Sequence, residues 1–157
     1  MGEVLFGYKA KDVAWIVGID YARLDYWART RLIVPSLGEA DGRGSKRLYS
    51  FLDIIALKVV KVLRDQGVSL QRLKKVADYL GQIGPELENP LANAIIITDG
   101  LKVFRLINHP GTVQEVLGMG QLVWAISLGR LVTEIKKKAA RVPKSTFRAP
   151  STEASSA

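Results

Sequence analysis

The four residues Val17-Gly18-Ile19-Asp20 constrain this chain more than any other stretch. Ahead of them, Val13, Ile16 and Val17 recur at helical spacing in "KAKDVAWIV", which predicts a short amphipathic helix. It must stop at Gly18, because glycine readily takes the left-handed turn at a helix end. Behind the break, Asp20 is suited to accept the free amides of a new helix running from Tyr21 to about Thr30. Two short helices joined by a glycine-containing turn of about three residues make a helix-turn-helix arrangement.

The second helix, "YARLDYWART", carries adjacent aromatics, Tyr26 and Trp27. Neighbours on a helix point about 100° apart, so both cannot enter one core. Leu24 and Trp27 lie three apart and can share the inward face, whereas Arg23, Tyr26 and Arg29 project to other sides. Tyr26 is therefore expected at the surface among cations, where its hydroxyl suits a phosphate oxygen. The plainer alternative is a tyrosine that covers the next helix beside two solvated arginines.

Downstream, "LIVPSLGEADGRGSKRLYS" places β-branched residues and a proline before a loop with three glycines, then Arg47-Leu48-Tyr49. A loop between two short extended pieces predicts a β-hairpin. Arg43, Lys46 and Arg47 cluster at its glycine-loosened tip, so the hairpin can act as a wing that grips a phosphate backbone beside a helix in the major groove. Ser50, with Asp53 three residues on, matches a capping box and opens a strongly apolar helix that Gly67 ends. Ser69 then caps a fourth helix with the stripe Leu70, Leu73, Val76, Ala77 and Leu80.

The stretch "GQIGPELENPLA" is a joint, with two glycines and two prolines. Beyond it the period changes. "NAIIITDGLKVFRLI" predicts two strands around Asp99-Gly100, "QLVWAIS" a third, and Leu128, Leu131, Val132, Ile135 and Ala139 a helix. The last segment is polar and proline-containing. The expected fold class is α+β. Residues 1–83 form a mostly helical winged helix-turn-helix, residues 91–140 a small α+β domain with a three-stranded sheet for dimerisation or effector sensing, and residues 141–157 a disordered basic tail. The stripe Leu128, Leu131, Val132 and Ile135 is the candidate dimer surface, with packing on its own sheet as the alternative.

The net charge of +8 is distributed unevenly. Residues 1–80 carry fourteen Lys/Arg against nine Asp/Glu, residues 81–135 three against five, and residues 136–157 six against one. Basic ends of this kind attract polyanions. The absence of cysteine excludes disulfides and thiolate-bound metal. His109 is the sole imidazole, and no acid–base pair or activated nucleophile converges with it, so neither an enzyme nor a cofactor or metal site is expected. Gly118, Gly120 and Gly129 lack the strand–glycine loop–helix order of a phosphate-binding fingerprint. Trp124 and Phe104 could line a small effector pocket, although aromatics in alternating strands are commonly core. No run is long and apolar enough for a membrane span, and no signal peptide opens the chain, so a cytoplasmic protein without membrane contact is expected.

Taken together, Val13, Gly18, Leu24-Asp25-Tyr26-Trp27, Leu32, Pro35, Arg47-Leu48-Tyr49-Ser50, Asp53, Gly67 and Ser69-Leu70 resemble, in order and spacing, the MerR-type winged helix-turn-helix regulators over roughly residues 7 to 83. That resemblance implies a homodimeric transcription factor on pseudo-palindromic promoter DNA, which it distorts so that RNA polymerase can use the promoter. It further implies that Tyr21, Arg23 and Tyr26 make recognition-helix contacts and Arg43, Lys46 and Arg47 wing contacts. Where that family commonly has arginine before the aromatic pair, this chain has Asp25, which cannot contact phosphate and is placed to pair with Arg29. The long dimerisation helix expected after the fourth helix is interrupted by Gly84-Pro85. A DNA-targeted protein-docking module or an excision accessory protein is the alternative function.

Overall fold

The computed structural model describes residues 4–38, 47–82, 94–98, 103–107 and 124–148. Strand β1 (Val4–Lys9) leads directly into α1 (Ala10–Val17), followed by α2 (Tyr21–Arg29), β2 (Leu48–Tyr49), α3 (Phe51–Asp65) and α4 (Leu70–Gln82). Then come β3 (Ala94–Thr98), β4 (Val103–Ile107), β5 (Trp124–Ser127), a helix labelled α5 (Leu128–Ala139), and β6 (Ser145–Arg148).

Each helix end has the chemistry its residues dictate. Gly18 adopts φ 83°, and its N–H donates to the Ala14 carbonyl, which closes α1. The Asp20 carboxylate accepts from the Arg23 amide at 2.6 Å, which opens α2. At α3 the capping box is complete, with the Asp53 amide donating to the Ser50 hydroxyl at 3.1 Å and the Ser50 amide to the Asp53 carboxylate at 2.8 Å. Ser69 Oγ accepts from the Arg72 amide at 3.4 Å at the start of α4.

Helix α3 runs through the middle of the molecule, burying Ile54, Ile55, Leu57, Val59, Val60 and Leu63. Around it close Val13, Ile16 and Val17 of α1, Leu24 and Trp27 of α2, and Leu73, Val76 and Leu80 of α4. Each such aliphatic side chain contributes about 1.5–3 kcal/mol when fully buried. The Leu24–Trp27 face expected from spacing is the face that packs.

Three elements depart from expectation. Leu131, Ile135 and Ala139 of α5 are buried in this same core, with Val132 packed against it, and α5 lies on α1 and α3. Leu131 and Ile135 are therefore spent inside the subunit and do not present a dimer surface. The stripe is apolar because it completes the helical core, and α5 also touches β3. Second, within the tail expected to be disordered from residue 141, Ser145–Arg148 forms β6, antiparallel to β1 with Phe6 opposite Thr146 and Gly7 opposite Ser145, while residues 149–157 lie outside the described residues. The edge of β1 left open by β2 offers unpaired amides and carbonyls that β6 satisfies. Third, the hairpin arm before the loop is Leu37–Gly38, not the apolar run Leu32–Val34 with its β-branched Ile33 and Val34. Leu37 N donates to Leu48 O at 3.2 Å, and Leu48 N to Gly38 O at 3.0 Å. Leu32 and Ile33 are buried instead, in a chain reversal where Arg31 adopts φ 61°.

Two small antiparallel sheets result, ordered β2-β1-β6 and β4-β3-β5. In the first, Tyr8 opposes Tyr49. A Cβ on Gly7 would meet Leu37 Cδ1 at 3.1 Å and Leu48 Cβ at 3.3 Å, so only glycine lets the wing root approach β1 this closely. In the second, Ile96 of β3 lies opposite both Arg105 of β4 and Ile126 of β5. The turn at Asp99-Gly100, His109 and the glycines 118 and 120 lie outside the described residues, and nothing is described of the Phe104 and Trp124 side chains.

Candidate nucleic-acid interface

Helix α2 is short and amphipathic, and its inward face is used up by Leu24 and Trp27. What remains outward is aromatic and cationic. Tyr21 is 51% exposed and Tyr26 46%, although a tyrosine ring ordinarily covers apolar surface. Tyr26 is thus turned to solvent, as its position one step from Trp27 requires. Arg29 stands in the last turn with most of its side chain in water.

Arg23 is less free. Its guanidinium lies 5.0 Å from the centroid of the Trp27 ring one turn on, and Nη1 is 3.9 Å from Asp65 at the end of α3. Asp65 is held mainly by Lys61 at 2.7 Å, whose ammonium keeps its carboxyl below the usual carboxylate range, with Arg23 adding to the effect. Arg23 can therefore swing outward at little cost, since a half-exposed ion pair is worth little in water.

The wing root is tied to α2 by the residue that departs from the family pattern. Asp25 accepts a hydrogen bond from Arg47 Nη1 through one oxygen and pairs with Arg29 Nε at 2.9 Å through the other. Arg47, first of all, and then Arg29 hold the Asp25 carboxyl below its ordinary range. In return, Asp25 pushes the Arg47 guanidinium up, and Arg47 is only 16% exposed. The pair with Arg29 was legible from its spacing of four. The tie to Arg47 was not, because it joins residues 22 apart through a hairpin.

A second carboxylate fixes the connection between α2 and the wing. Asp53 Oδ2 accepts from the Ser36 amide and the Ser36 hydroxyl, both at 2.8 Å, besides capping α3. Lys74 of α4 donates to the Arg31 carbonyl at 2.8 Å at the reversal that leaves α2. Beneath the wing root, Tyr49 is fully buried, and burial pushes its hydroxyl up to about 12. That hydroxyl finds no hydrogen-bond partner among the described residues.

Of the six residues singled out from sequence, Tyr21, Arg23 and Tyr26 sit on one short helix and Arg47 is fastened to that helix at the wing root. Arg43 and Lys46 lie outside the described residues. Arg29, absent from that set except as a partner for Asp25, stands on the outer side with Tyr26. Its signal was the spacing of three from Tyr26.

A helix-turn-helix whose second helix turns tyrosines and arginines outward, flanked by a hairpin root pinned to that helix, defines the winged helix-turn-helix class. Residues 8–80 match the MerR HTH family regulatory protein model, and through them the chain carries a MerR-family domain. It is also 42% identical over 133 residues to uncharacterized HTH-type transcriptional regulators of Mycobacterium tuberculosis and Mycobacterium bovis. The match takes in 85% of this chain but 57% of each relative, so the chain spans a little over half the length of these curated relatives.

Proposed function

We propose that the protein is a DNA-binding transcription regulator that lays α2 in a major groove and its wing along the flanking backbone. The observation that carries this is the exposed pair Tyr21 and Tyr26 on a helix whose other face is anchored by Trp27, with the wing root held beside it by Arg47 and Asp25. Tyr21 and Tyr26 then donate to phosphates, Arg29 and Arg47 stay paired with Asp25, and Arg23 leaves Asp65 to reach a base edge. Arg43 and Lys46 meet the backbone from the wing, and Arg47 sets the wing's angle. The names of the mycobacterial relatives agree with a regulator. No helix among the described residues is long and apolar enough to cross a membrane.

The protein acts on pseudo-palindromic promoter sites as a homodimer and distorts the promoter for RNA polymerase. Because Leu131 and Ile135 are buried within the subunit, the dimer contact lies elsewhere. Selection of bound sequences from random duplexes, followed by binding titrations over a range of salt, tests the proposal. The expected result is a two-fold-related site with half-sites about one helical turn apart, bound at least ~1,000-fold more tightly than bulk DNA. Arg23→Ala should change the base preferred at one position in each half-site, whereas Tyr26→Phe should weaken all sites alike. Recovery of no preferred sequence, or a pattern unchanged by Arg23→Ala, overturns the assignment.

A further inference from the structure

A hollow beside the first sheet is lined by none of the residues assigned to DNA. We propose that this cavity, between β1 and the end of α5, binds a small flat organic anion, an aromatic carboxylate, through the Phe6 and Phe51 rings, the Lys136 and Lys144 ammonium groups and the Tyr8 hydroxyl. It measures about 390 Å³ and is lined by Phe6 and Tyr8 of β1, by Phe51 of α3, by Lys136 and Ala139 of α5, and by Ala140 and Lys144 just beyond that helix. Such a volume lies within the range of small-molecule sites, roughly 300–1,000 Å³.

Strand alternation explains how it forms. Phe6 and Tyr8 are two apart and face one side of β1, while Gly7 faces the other and packs on Leu37 and Leu48 at the wing root. Phe6 is 60% exposed, the most solvent-exposed large apolar side chain among the described residues. An aromatic floor left open to water favours a flat apolar body laid across it. The polar lining is of one kind. Among the described residues, Lys136 and Lys144 form no ion pair and no carboxylate lines the cavity. Tyr8 is only 5% exposed, yet its hydroxyl has no hydrogen-bond partner among the described residues. Burial pushes this phenol up, so it stays a donor through the physiological range. Two ammonium groups and one hydroxyl around aromatic rings complement an anion on an aromatic ring. Inorganic phosphate would leave the rings uncovered, and a neutral hydrocarbon would leave the donors without an acceptor. The proposal stands apart from the DNA assignment, since no residue of α2 lines the cavity.

The test uses the full chain, 8-anilinonaphthalene-1-sulfonate, and its uncharged analogue N-phenyl-1-naphthylamine, followed by fluorescence. The sulfonate should bind saturably at one molecule per chain and be displaced by naphthalene-1-carboxylate but not by naphthalene-1-methanol. Lys136→Glu with Lys144→Glu should weaken the sulfonate about tenfold or more while changing the uncharged dye little. Phe6→Ser should weaken both dyes. Both lysines are exposed, so circular dichroism and melting should be unaltered by their reversal, and the displacement experiment on the unmodified chain stands without any variant. No saturable binding, indifference to charge reversal, or equal displacement by the alcohol overturns the proposal. So does dye release on raising the protein concentration, which would make this face a contact between copies of the chain.

Discussion

Asp25→Asn is the perturbation that separates a wing clamp from a simple surface charge. In the free protein Asp25 holds two guanidinium groups, Arg47 at the wing root and Arg29 on the outer side of α2. Asparagine keeps the shape and removes the charge, so both cations become available to phosphate. Each added phosphate contact steepens the slope of log affinity against log salt by about 0.9 on duplex DNA. Two released arginines therefore add up to ~1.8, and between 50 and 200 mM salt the variant should lose up to about tenfold more affinity than the parent does. Binding to bulk DNA at low salt should rise. Discrimination of the preferred site should fall, because the wing no longer has a fixed angle to α2. Fluorescence anisotropy at five or six salt concentrations, on one specific and one scrambled duplex, measures both quantities. An unchanged or shallower slope would show that Arg29 and Arg47 already neutralise phosphate in the complex despite Asp25, and the clamp would be refuted. Arg47→Ala supplies the companion result, with discrimination reduced but the slope little changed.

Asp53→Ala removes the acceptor shared by the Ser36 amide, the Ser36 hydroxyl and the Ser50 amide, and should cost about 2 kcal/mol in urea unfolding; a loss below ~0.5 kcal/mol would mean those bonds contribute nothing net. Tyr49→Phe deletes a buried hydroxyl without a partner among the described residues and should leave stability unchanged or raise it by up to about 1 kcal/mol, read from the same curves, whereas a loss above that would reveal a partner. The Tyr49 hydroxyl is pushed up to about 12, so its contribution is complete below pH 10 and disappears as pH rises from 10 towards 12; unfolding monitored by tyrosinate absorbance should show a loss of about 2 kcal/mol across that window in the parent and not in Tyr49→Phe. Ending the chain after Val142 removes β6 and its pairing with β1, and should lower the melting temperature by several degrees; an unchanged melt would mean that the pairing is not part of the stable fold.

Local chemistry made the N-terminal half legible from its letters. Gly18, Asp20, Ser50 with Asp53, Gly67 and Ser69 act on amides within four residues of themselves, and helical spacing sends Trp27 inward and Tyr26 outward. Such signals need no partner distant in the chain. Arg47 was less legible. A cationic loop residue next to glycines suggests phosphate, yet its nearest charge in the folded chain is Asp25 across the hairpin.

The sequence alone determined where helices start and stop, which face of each is apolar, and that Tyr26 and Trp27 must diverge, because those properties follow from backbone geometry and side chains within one or two turns. Only the tertiary structure decided which apolar stripe meets which. The last helix could have packed on its own strands alone or on a second copy, and it instead both touches β3 and completes the core around α3. Ser145–Arg148 has too few residues to announce itself as a strand, and becomes one because β1 offers a free edge. Apolar burial and ladder pairing are indifferent to chain distance, so the partner of a face or an edge is settled by what the whole fold brings near.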